Sequence, residues 1–142
     1  MKREHFSLTA VRAGEKPDAP DVPTLRITHS GAAAPLRDRL TDDDGATLEG
    51  DAVDVAFRKR EQETGVLSIA DRLTGAFICE LEADIADVKR VVDAAEATDD
   101  RYRIELVVGD ERIRFEKQTL LVYDDTGQLR RSCSLIPGSV EL

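Results

Sequence analysis

A chain of 142 residues, 41% hydrophobic and 35% charged, fits one globular domain and excludes a disordered polyelectrolyte. It holds no apolar run near the ~18 residues a membrane span needs, and its first residues, MKREHFSLTA, lack the apolar stretch of a secretory signal. The net charge of −9 rests on 17 Asp and 12 Glu against 15 Arg and 5 Lys, a balance that suits molar salt better than a thermophile's Lys and Glu enrichment.

Strand signals dominate the chain in order. HFSLTAV places Phe6, Leu8 and Ala10 on one face, and residues 13–23 (AGEKPDAPDVP) read as a flexible linker or loop. TLRITH groups Leu25, Ile27 and His29. After SGAAAP, the segment LRDRLT is short enough for a strand or one helical turn. AVDVAFRKR alternates, with Val53, Val55 and Phe57 together. GVLSIAD and GAFICELEA predict a hairpin in which Phe77, Cys79 and Leu81 share a face. Helical spacing appears once, over residues 84–97, where Ile85, Val88, Val91, Val92 and Ala95 form one apolar stripe, with Asp84 at the N-cap position.

Residues 101–142 read as hairpins and a tail. In RYRIELVVGDERIRFEK the Gly109-Asp110 turn pairs Val108 with Glu111. Leu106 then meets Ile113 and Ile104 meets Phe115 inside, while Arg103 meets Glu116 and Glu105 meets Arg114 outside. TLLVYDDTGQLRRSCSLI adds a last hairpin. The expected fold is a single α+β, β-rich domain: an antiparallel sheet or sandwich of seven or eight short strands with one amphipathic helix.

Candidate chemistry is sparse. TDDDGATLEGD (41–51) offers Asp42 and Asp44 as metal ligands, but a calcium loop with Gly45 at its sixth position would start at Leu40, whose side chain has no oxygen to give. Asp42-Asp43-Asp44-Gly45 instead shares its form with Asp124-Asp125-Thr126-Gly127, a turn closed by a left-handed glycine. No metal site is expected. Cys79 and Cys133 show no metal or redox spacing. A nucleophile would have to combine Cys133 with His5 or His29, and no catalytic residue is favoured. Without a P-loop or GxGxxG, no cofactor is expected. Arg58, Lys59 and Arg60 form a basic run, yet on a −9 chain nucleic acid is not expected as a partner. Apolar residues return at the C-terminus, where Leu135, Ile136, Val140 and Leu142 offer a tail that could dock on a protein partner.

REHFSL, DVAFR, TGVLSIADRLTGAFICELEAD, YRIEL and LLVYDDTGQLRRSCSLIPGSVEL resemble a haloarchaeal protein family of unknown function. The likeness spans nearly the whole chain except the linker, and it is most specific over 64–84 and 119–142, including the Ser-Leu-Ile-Pro tail. It implies a haloarchaeal cytoplasmic setting and brings no activity and no catalytic residue. The expectation is therefore a cytoplasmic, non-catalytic protein-binding or assembly module with an unidentified protein partner, self-association being open and a membrane excluded. The rivals are a small enzyme using thiol, His and Asp, and a nucleic-acid- or ribosome-associated accessory protein.

Overall fold

The computed structural model describes residues 6–11, 22–60, 63–97 and 100–136, and among these eight strands form two four-stranded sheets. The strands are β1 (Phe6–Val11), β2 (Thr24–His29), β3 (Val53–Lys59), β4 (Thr64–Asp71), β5 (Phe77–Asp84), β6 (Tyr102–Val108), β7 (Glu111–Lys117) and β8 (Leu121–Tyr123). The first sheet runs β1-β2-β6-β7 and the second β5-β4-β3-β8.

Alternation decides which faces meet. Leu25 and Ile27 of β2, Val53, Val55 and Phe57 of β3, and Ile104, Leu106 and Val108 of β6 all enter one shared apolar core. Burying each such side chain contributes roughly 1.5–3 kcal/mol, so a one-residue slip, which would turn a whole row outward, is strongly disfavoured. The β6–β7 hairpin adopts the register that the Gly109-Asp110 turn dictates, with Val108 opposite Glu111, Leu106 opposite Ile113 and Ile104 opposite Phe115.

α2 (Ile85–Glu96) buries Val88, Val91, Val92 and Ala95 against β1, β2, β5 and β6. Asp84 occupies the N-cap position without a side-chain capping bond. The Ile85 amide instead donates to Glu63 O at 2.7 Å, and Asp87 pairs with Arg90 at 3.5 Å.

Four features differ from the sequence reading. The sheets are mixed rather than antiparallel, because β2 pairs with β6 and β3 with β8 in parallel. Both are pairings between strands far apart in the chain, which no local pattern announces. A second helix, α1 (Ala33–Arg39), starts two residues before Pro35, since a proline in the first turn gives up an amide that has no partner there. Leu36 anchors it in the core. A bulge in β5 pairs Ile69 with Cys79 and Ala70 with Phe77, so Ile78 joins Cys79 in the core and Phe77 turns outward. Finally, Val22 and Pro23, at the end of the expected linker, are packed into the structure: Val22 is buried and Pro23 O accepts the Arg103 amide at 2.8 Å. Residues 13–21 of that stretch lie outside the described residues.

Two close approaches hold strands in place. A Cβ on Gly65 would stand 2.6 Å from Phe57 Cζ and closer still to Arg58 O, so only glycine lets β4 lie over that ring. Between the sheets, the buried Lys117 ammonium on β7 donates to Gly50 O and Val53 O, each at 2.7 Å. Burial pushes the Lys117 pKa down, the Arg72 charge adds to this, and Asp54 and Asp51 act against it.

Candidate functional site

The two acidic turns have closely matching geometry. Asp42 Oδ1 accepts the amides of Asp44 and Ala46, and Asp124 Oδ1 those of Thr126 and Gln128, all four at 2.9 Å. Gly45 and Gly127 both sit at φ +85°, where a side chain would be strained. The Thr126 hydroxyl, followed by the backbone amides, holds the Asp124 carboxyl below its usual value. These carboxylates are thus engaged in fixing their own loops. Among the described residues, no three His, Cys, Asp or Glu side chains gather as a metal-ligand group.

The Cys133 thiol and the His29 imidazole belong to different elements, and His5 lies outside the described residues. His29 ends β2, nearly buried, with its ring 4.7 Å from that of Phe6. Cys133 lies in a 3-10 turn (Arg131–Cys133) after β8, half-buried against the core. Cys79 is deep in the core, and burial pushes its thiol up to about 12, with a smaller lowering from Arg39 and a smaller rise from Glu80. It stays a protonated thiol at neutral pH.

The basic run is split by strand alternation. Lys59 takes the Phe57 side of β3, away from Arg58, and Arg60 follows the strand end, where its amide donates to Thr64 O at 2.9 Å. Of the tail, Leu135 is 2% exposed and already paired: it and Leu120 form an isolated antiparallel bridge, exchanging backbone hydrogen bonds at 2.9 and 3.0 Å. Ser134 Oγ accepts the Val122 amide at 2.9 Å, so this return segment lies along β8. Leu135 is not available to dock on a partner. Ile136 is half-buried, and Val140 and Leu142 lie outside the described residues.

The β4–β5 turn, residues 71–75, is not among the candidate sites that the sequence suggests. Asp71 heads it, its Oδ1 accepting the amides of Leu73 at 2.9 Å and Thr74 at 3.2 Å, while Gly75 at φ +75° closes it. Arg72 braces the loop twice, through its amide to Ala52 O at 2.9 Å and its Nε to Asp54 Oδ1 at 2.8 Å. This firmly held loop leaves Leu73 93% exposed, and the bulge behind it leaves Phe77 54% exposed. They are the large hydrophobic residues that stand out of the surface among the described residues. The signal that was available is the leucine itself, an aliphatic side chain at the centre of the polar turn DRLTG.

The chain is matched over residues 1–142 by the model of a family described as a family of unknown function (DUF5793). Neither a curated protein nor a solved structure matches it.

Proposed function

Since the chain belongs to this family of unknown function, we propose that it is a non-catalytic module that binds another protein through the β4–β5 hairpin. The observation that carries this reading is the exposure of Leu73 on the braced turn and of Phe77 at the start of β5, both on one hairpin. An anchor of this kind gains from burial in a partner's pocket and loses little entropy when its loop is already ordered. Covering each side chain would contribute roughly 1.5–3 kcal/mol. The acidic surface, under the same reading, keeps the module soluble in the cytoplasm of a salt-loving cell. Among the described residues no helix is long and apolar enough to cross a membrane.

The test is a native-salt pull-down with the wild type and with L73D/F77D, followed by affinity measurement on the purified partner. A partner held by the wild type should bind the double variant ~30-fold or more weakly, about 2 kcal/mol of hot-spot loss, while the thermal midpoint stays put. Undiminished capture by the variant would sink the hairpin as the binding site.

A further inference from the structure

The outer face of the first sheet carries a charge cluster that neither the core nor the hairpin uses. Register places Arg26 of β2, Glu105 of β6 and Arg114 of β7 in one row across three strands. Arg103 and Glu116 pair in the next row at 2.6 Å, and Arg112 stands opposite Val107 on the other side. Glu105, 3% exposed, lies under this cluster: Oε1 takes Arg26 Nε at 2.7 Å and Oε2 takes Arg114 Nε at 3.1 Å. Arg112 reaches only 3.8 Å from the oxygen that Arg26 already holds.

One carboxylate therefore serves three guanidiniums, and the Arg103–Glu116 pair leaves that surplus unchanged. Among the described residues, the charge of this cluster is thus opposite in sign to the chain's net −9. Each guanidinium has five N–H donors in a planar fork, so a single Nε bond from Arg26 and from Arg114 leaves donors over for a second anion. Arg112 is 57% exposed and Arg114 54%.

We infer that this face binds an acidic, extended segment of a partner protein, its carboxylates seated on Arg112 and Arg114. The spacing supplies the complementarity. Residues i and i+2 of a strand lie about 6.6–6.8 Å apart on one face, and an extended peptide with acids at alternate positions repeats the same interval. A single-stranded nucleic acid fits less well. Such strands stack their bases on aromatic rings, and this face carries none among the described residues, while Glu116 would oppose a continuous phosphate track.

The inference stands apart from the hairpin and is tested separately. A fluorescein-labelled peptide of alternating Glu and Thr is titrated with the full chain at low ionic strength, and anisotropy is read. Saturable binding that weakens with added salt is expected, with R112A/R114A about tenfold or more weaker and R130A/R131A, on another surface, unchanged. R112A alone, which breaks only the 3.8 Å contact, should weaken binding in the same direction if the double variant fails to fold. Absence of binding to the wild type, equal loss in both double variants, or tighter binding of a single-stranded oligonucleotide of equal charge would overturn the inference.

Discussion

Glu105 shows how one side chain can be half legible. Its partner Arg114 follows from the local turn at Gly109-Asp110, which fixes the β6–β7 register. Arg26 does not, because it arrives through a parallel pairing with a strand 79 residues away in sequence. Burial by itself pushes the Glu105 carboxyl up, but hydrogen bonds from Arg26 and Arg114, with their charges, outweigh it and hold the pKa below the ordinary glutamate range. A carboxyl depressed in the folded state adds stability above its unfolded pKa and loses it as pH falls through the folded one. E105Q should therefore lower the unfolding free energy by about 1–2 kcal/mol at neutral pH, discounted for the partly exposed arginines. Denaturant titrations at a series of pH values should show that gap closing on acidification. A gap that does not vary with pH would mean the carboxylate's charge contributes nothing.

At the scale of elements, the segments legible in the sequence are those whose cause is local. The α2 stripe, the β6–β7 hairpin and the paired form of the Asp42 and Asp124 turns all rest on residues within a few positions of one another. The β5 bulge is different, since Phe77-Ile78-Cys79 alternates acceptably in either parity and only the packing of Ile78 decides. That is why the exposed Phe77, half of the candidate site, could not be read ahead. Gly65 is another residue whose reason lies in packing. G65A should cost about 2–4 kcal/mol by forcing β4 off Phe57 and the Arg58 backbone. G45A, strained in φ but meeting nothing within 4 Å, should cost about 1 kcal/mol. Urea unfolding of the two variants compares them directly. Equal losses would show that the β4 contact adds no penalty beyond glycine's own.

For the molecule as a whole, composition spoke about surface and solvent rather than chemistry. The 29 acidic residues repel one another in dilute buffer, and the Arg cluster on the first sheet offsets this only locally. Repulsion between exposed charges more than ~8 Å apart is already largely screened near 0.15 M salt. A salt-adapted chain should go on gaining stability well beyond that point. Its thermal midpoint is expected to rise steadily from ~0.15 M to above ~1 M KCl, where the Debye length is ~3 Å. A plateau at the lower concentration would leave the acidic surface as ordinary charge and remove the halophilic reading.

The nesting of one sheet within the sequence of the other also sets an order of events. β3, β4, β5 and α2 all fall between β2 and its neighbour β6. On a growing chain, β1 and β2 can meet early, yet the apolar face that carries Leu25 and Ile27 then stands uncovered until α2 and the second sheet pack against it. The second sheet can assemble its three consecutive strands by short hairpin steps, whereas β8 must wait for the whole of β6 and β7. Completing the first sheet requires closing a long loop, the step that makes non-local β topologies slow to fold. The interval before that closure is when the apolar face of the first hairpin is open to association with other chains.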